Sequence, residues 1–274
     1  MKAFVWEFFL FGLKQARACA FAGSFMAVML ISHHVRIPGL ARYDFLCLTA
    51  VAIQAVLLIT RIEEPGEALV LSLFHAIGLG LELFKTSVGS WNYPDPGVLK
   101  IGVVPVFSGF TYAAVASYTC QAWRILRLEV RRYPDWRLTV PLAIAIYGNF
   151  FTNQYLPNAR WVLIALVFVV FGRTMVDFTV WQKRRTMPLV SSFFLIGFFV
   201  WVAENYSTYL GAWVYPHQRE GWRAVSPNIL ASWFLLVIVC FILVADLRYV
   251  RRRKPAPPAA EALPPPAPVA TMPI

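Results

Sequence analysis

Two glutamates, each followed by the same short pattern, mark where this sequence could do chemistry. Residues 82–94 read ELFKTSVGSWNYP and residues 204–216 read ENYSTYLGAWVYP. Aligned without a gap, Glu82 meets Glu204, Thr86 meets Thr208, Gly89 meets Gly211, Trp91 meets Trp213, Tyr93 meets Tyr215 and Pro94 meets Pro216. Pro105 and Pro227 match at the same spacing, 122 residues (82 to 204). Background composition would give roughly one identity in a stretch of this length, so the pattern reads as an internal repeat. A carboxyl inside an apolar helix is costly and usually faces a partner or a cavity. Held away from water, such a group favours its protonated form, which is what a general acid needs. Glu82 and Glu204 are therefore the candidate acids, able to protonate a double bond. Trp91, Tyr93, Trp213 and Tyr215 are candidate ligand-binding rings that could shelter a developing cation or stack on a polyene. Thr86 and Thr208, one turn beyond each Glu, are candidate ligand contacts. Gly89, Gly211, Pro94, Pro105, Pro216 and Pro227 read as structural, ending each helix and shaping the following loop. The plainer alternative is a helix-end carboxyl tying down its loop, with Trp and Tyr as ordinary interface residues.

His75 lies seven residues before Glu82, two helical turns away on one face, and is a further catalytic candidate as a proton relay. The second copy has Gly197 there, so one half would carry chemistry and the other would scaffold it. His33, His34, His75 and His217 form no clustered ligand motif, and Cys19, Cys47, Cys120 and Cys240 have no paired spacing. No metal, disulfide framework or cofactor is expected. There is likewise no phosphate loop, nucleophile elbow or nucleotide fingerprint.

The elements that must position these residues are membrane helices. The chain is 59% hydrophobic and 14% charged, where a soluble domain carries about a quarter charged residues. Apolar runs long enough to span a bilayer recur near 18–34, 43–60, 67–86, 101–123, 138–154, 161–180, 188–206 and 229–247. The expected fold is all-α transmembrane, about eight spanning helices as two parallel four-helix repeats, 18–123 and 138–250. Residues 1–17 read as an interfacial amphipathic segment, 124–137 as a basic cytoplasmic loop, and 251–274 as a basic then Pro/Ala-rich disordered tail. Asp44, Asp177, Asn149 and Asn153 would then be polar groups at membrane depth, marking a solute path.

Eighteen of the 25 Lys and Arg fall on the side holding both termini and seven on the other. This asymmetry puts both termini in the cytoplasm and the repeated motif at the outer face of a bacterial cytoplasmic (inner) membrane. It also accounts for the net charge of +11. Nucleic-acid binding is not needed to explain that charge, and the basic loops would meet anionic lipid headgroups.

Stretches such as FGLKQARACAFAG, LFHAIGLGLELFKTSVGSWNYP, FSGFTYAAVASY and GFFVWVAENYSTYLGAWVYPHQ resemble an uncharacterised bacterial polytopic integral-membrane family, a domain of unknown function. The repeat itself is distantly similar to the small membrane-embedded lycopene cyclases. Their units carry an acidic residue, a Gly seven positions on, Trp and Phe or Tyr at alternate positions, and a later Pro that opens an acidic pair. Glu82, Gly89, Trp91, Tyr93 and Pro105 follow that order, as do Glu204, Gly211, Trp213, Tyr215 and Pro227. The acidic pair is missing from both copies: Pro105 precedes Val106-Phe107-Ser108 and Pro227 precedes Asn228-Ile229-Leu230. The cyclase resemblance implies an isoprenoid or carotenoid ligand and a cyclase- or hydratase-like acid catalyst. Three function classes follow: binding or modification of an isoprenoid or lipid, non-catalytic lipid or carotenoid binding or assembly, and small-solute or proton-coupled transport. Membrane lipids are the expected partners; the sequence sets no oligomeric state.

Overall fold

The computed structural model describes residues 2–249; the tail expected at 251–274 lies outside the described residues. Each of the eight expected spans contains a helix. In chain order these are α2 (Ala20–His34), α3 (Arg42–Ile59), α4 (Ala68–Ser87), α5 (Phe107–Ile125), α6 (Trp136–Thr152), α7 (Arg160–Phe171), α8 (Leu189–Tyr209) and α9 (Pro227–Val244), preceded by α1 (Lys2–Ala18). By length and composition, four stretches can cross a bilayer: Arg42–Ile59, Pro65–Ser87, Leu189–Tyr209 and Pro227–Leu247. The first two helices, bent by 71° at Cys19, make a fifth if they form one span. This is a mostly helical membrane fold. The other helices are shorter or more polar: α7 has 12 residues, about 18 Å at 1.5 Å per residue, against a hydrocarbon core of about 30 Å.

Two expected boundaries are corrected. The fourth span was expected from residue 101, but a tight hairpin, β1 (Lys100–Ile101) with β2 (Val104–Pro105), precedes a helix that starts only at Phe107. The sixth was expected to run to 180. Its helix stops at Phe171, and Met175–Thr179 is instead a strand, β4. A helix continued through this stretch would carry Arg173 and Asp177 into the hydrocarbon, whereas Val176, Phe178 and Val180 alternate with polar residues as a half-buried strand does. With β3 (Glu129–Arg131) and β5 (Arg184–Pro188) it forms an antiparallel sheet, order β3-β4-β5, pairing Asp177 with Glu129 and Thr186. The basic segment 124–137 is thus partly strand, and Asp177 belongs to a sheet.

The interior is organised around α5 and α9. Ten residues of α9, Phe234 to Ile242 and Val244, are buried. On α5 the buried face is unusually small, with Gly109, Ala113, Ala114, Ala116, Ser117 and Cys120, which lets neighbouring backbones come close. Where α4 meets α5, Gly78 leaves room for the Tyr112 ring: an added Cβ would stand 2.2 Å from Tyr112 Cγ. Tyr112 is thereby pressed toward Glu82, one turn further along α4.

Candidate functional site

Both copies of the repeat end their helix in the same way. After α4, Ser90 N donates to Lys85 O (2.9 Å) and Gly89 N to Thr86 O (3.1 Å). After α8, Ala212 N donates to Ser207 O and Gly211 N to Thr208 O, both at 3.0 Å. This closure needs a left-handed residue, supplied by Gly89 (φ 74) and Gly211 (φ 68). The chain reverses there, and the Trp and Tyr at alternate positions turn back beside the Glu one to two turns below.

The result is a pair of carboxyl cages. Trp91 Nε1 and Tyr93 Oη both donate to Glu82 Oε2 at 2.7 Å, and Tyr112 Oη from α5 donates to Oε1 at 2.8 Å. In the second copy, Trp213 Nε1 (2.8 Å) and Tyr215 Oη (2.7 Å) donate to Glu204 Oε1, and Trp233 Nε1 from α9 donates to Oε2 at 3.1 Å. Both glutamates are buried, at 5% and 6% exposure, and among the described residues neither makes an ion pair. Three neutral donors replace the counter-ion that a buried carboxylate usually requires.

The cages also hold each other. Asn92 and Val214, equivalent positions of the repeat, form an isolated antiparallel bridge with both hydrogen bonds made, at 3.0 and 2.9 Å. Pairing of identical positions is the signature of a local twofold relation. The rings interlock across it, Trp91 with Tyr215 (centroids 5.8 Å apart) and Tyr93 with Trp213 (6.4 Å). A buried Tyr43 donates to Ala212 O (3.0 Å), and Arg42 donates to Leu210 O and Gly211 O while pairing with Asp95. That cation sits where the C-terminal dipole of α8 favours it.

All eight cage residues line one cavity of about 1260 Å³ that extends between α1, α2, α5, α8 and α9. Most of the remaining wall is apolar, including Phe11, Phe25, Met26, Met29, Leu195, Ile196 and Leu236. The structure thus brings together Glu82, Glu204, Trp91, Tyr93, Trp213 and Tyr215. Of the other candidates, Pro216 also lines the cavity and the rest do not. Thr86 and Thr208 spend their hydroxyls on Glu82 O and Glu204 O one turn back. The His75 ring packs against Phe110 at 4.5 Å and does not line the cavity, and among the described residues its Nδ1 has no partner. Pro94 and Pro216 are exposed, Pro105 is buried in β2 and Pro227 opens α9.

Of the four polar groups expected along a solute path, Asn153 lines the cavity and accepts from Lys85 Nζ, while the other three have local work. Asp44 accepts from Val98 N and Leu99 N, Asn149 accepts from Ala159 N, and Asp177 pairs with Arg131 and Arg184. None of the three lines the cavity. Among the described residues no group of three or more His, Cys, Asp or Glu is gathered for a metal. The third donors, Tyr112 and Trp233, escape a sequence reading because they are 121 residues apart (112 to 233), one out of step with the ungapped repeat.

The family model for "Protein of unknown function (DUF817)" matches residues 7–241. The chain belongs to this family. A DUF817-type relative, the uncharacterized protein YoaT of Bacillus subtilis (strain 168), is 47% identical over 245 residues, covering 89% of this chain and 93% of YoaT. In fold, this DUF817 chain is similar to the crystal structure of MvINS, a mycobacterial Insig homolog from Mycobacterium vanbaalenii. The TM-score is 0.52 at 15% identity, covering 70% of this chain and 97% of that one. A cross-linked trimer of MvINS matches equally well. At this identity the likeness concerns the fold alone.

Proposed function

We propose that this DUF817 chain is a multi-pass protein of the bacterial inner membrane that binds an apolar lipid, of isoprenoid or acyl type, in the cavity that the two glutamate cages line. The eight helices form two parallel four-helix halves with both termini cytoplasmic, so the cages stand at the outer face. The observation that carries the reading is the cavity itself. At about 1260 Å³ it exceeds the roughly 300–1,000 Å³ typical of small-molecule pockets, and most of its wall is apolar. Binding without chemistry is favoured over acid catalysis by the state of the two carboxyls. All four of their oxygens already accept hydrogen bonds from the protein, and the acidic pair of the cyclase pattern is absent.

Purification of the full chain in mild detergent, followed by mass spectrometry of extracted lipid, tests this. Near-stoichiometric apolar lipid is expected in the wild type and loss of it in Gly23→Phe. Gly23 lines the cavity, and an added Cβ meets no atom within 4 Å, so the new ring fills the space intended for the ligand. A monodisperse wild-type protein that carries no lipid sinks the reading. A new polyene product that disappears in Glu82→Gln would replace binding by catalysis.

A further inference from the structure

The cavity has a second polar region that the glutamate cages do not use. Lys85, in the last turn of α4 and 7% exposed, lines it together with Ser90, Asn153 and Arg160. Lys85 Nζ donates to Asn153 Oδ1 at 2.9 Å, and Arg160 Nη1 donates to Asn228 O at 2.9 Å. Among the described residues neither cation is ion-paired. An ammonium has three donors and a guanidinium five, so most of their hydrogen-bonding capacity is unspent. Lys85 reaches Asn153, the residue that caps the end of α6, and Arg160 opens α7, so both cations border the same α6–α7 turn.

Their placement is built by the surrounding turn. Asn149 Oδ1 accepts from Ala159 N (3.0 Å), and Asn158 Oδ1 accepts from Arg160 N (3.0 Å), fixing the start of α7 against the end of α6. Two like charges on one cavity wall, neither ion-paired among the described residues, are costly unless something negative joins them. Glu82 is not that group: it lies one turn deeper on α4 and its carboxyl is held by its own three donors. In the second half, the position equivalent to Lys85 is Ser207, a buried hydroxyl donating to Ala203 O at 2.9 Å. The cationic seat belongs to one half only.

We infer that Lys85 and Arg160, with Asn153 and Ser90, receive the oxyanion head of the bound lipid, a phosphate or a carboxylate on an apolar chain. The inference rests on the reading that the cavity holds a lipid. Charge-assisted hydrogen bonds from two cations select an anionic head over a neutral one, while the chain occupies the apolar wall beyond.

Titration calorimetry on delipidated full-length protein compares matched pairs: geranylgeranyl phosphate with geranylgeraniol, and oleate with oleyl alcohol. The anionic member of at least one pair is expected to bind about tenfold or more tighter than its alcohol. Whether phosphate or carboxylate is preferred assigns the source of the head. Lys85→Gln with Arg160→Gln should abolish the discrimination while leaving alcohol affinity within about twofold. Arg160→Gln alone, which leaves the buried Lys85 in place, should reduce it, and Lys85→Arg should keep it. Alcohols that bind as tightly as anions, or discrimination that survives the double variant, overturn the anionic seat and leave lipid binding standing. If neither member of either pair binds, lipid binding itself fails and the seat fails with it.

Discussion

At opposite ends of α5 this chain holds buried carboxyls by two different means. At the cage end, Glu82 and Glu204 are held by indole and phenol donors with no cation. At the far end, Asp177 in the β3-β4-β5 sheet is held by Arg131 (2.9 Å), Arg184 (2.7 Å) and the Thr186 hydroxyl (2.5 Å). A cation partner works where water and salt can reach, and it is screened there. A ring of neutral donors suits an apolar surround, adding no net charge and presenting aromatic faces to whatever lies beside it. The same contrast explains why Lys85 and Arg160 stand out: they are cations with no ion pair among the described residues, at the end of the bundle where the two cage carboxyls are held without a cation.

The largest effect should come from emptying a cage. Glu204→Leu leaves two indole N–H groups and a phenol buried without an acceptor, at about 1–3 kcal/mol for each unsatisfied donor. Glu82→Leu strands one indole and two phenols, and a hydroxyl can rotate to another acceptor where an indole cannot. Thermal unfolding in detergent should therefore show both variants strongly destabilised, Glu204→Leu the more so. Equal or reversed losses would mean that the cages do not differ as their third donors imply. Raising salt from about 0.1 to about 1 M, which shortens the screening length from about 10 to about 3 Å, should leave both losses unchanged.

A smaller and sharper test removes only the donor that each cage borrows from the next helix. Tyr112→Phe and Trp233→Phe each delete one hydrogen bond and keep a ring, at about 0.5–1.5 kcal/mol. Tyr112→Phe should be the milder, since the ring still fills the space left by Gly78. A loss above about 3 kcal/mol in either would show that packing rather than the hydrogen bond dominates.

Much of the cage region was legible because its parts repeat. The spacing from Glu82 to Trp91 and Tyr93, conserved at Glu204, is a short-range consequence of a helix ended by a left-handed Gly, and short-range geometry is written in sequence order. The contributions of Tyr112 and Trp233 depend on how α5 and α9 pack, and their shift of one residue relative to the repeat hid them. Thr86 and Thr208 repeat for a different reason, bonding back to the preceding turn. The sheet was illegible for a physical reason too. Hydropathy sees Val176, Phe178 and Val180 as a continuation of α7, and only strand alternation around Asp177 says otherwise. Lys85 and Arg160 are 75 residues apart in sequence (85 to 160), and no local pattern announces that two solitary cations line one wall.

The smallest expected effect lies at the sheet, and it depends on pH. Partial burial pushes the Asp177 carboxyl up, but Thr186, Arg184 and Arg131 together outweigh it and hold it below the ordinary value of 3.8. A carboxyl lowered in the folded state contributes stability that is fully present above its unfolded pKa and lost as pH falls through the folded one. The Asp177 contribution should thus be complete at pH 7 and fade below about pH 4. Asp177→Asn should lower the unfolding midpoint modestly at pH 7, less at high salt because its partners Arg131 and Arg184 are about half exposed, and progressively less as pH falls through the folded value. A difference between Asp177→Asn and wild type that stays constant from pH 7 to pH 3 would show that the sheet, like the cages, holds its carboxyl by hydrogen bonds and packing instead of charge.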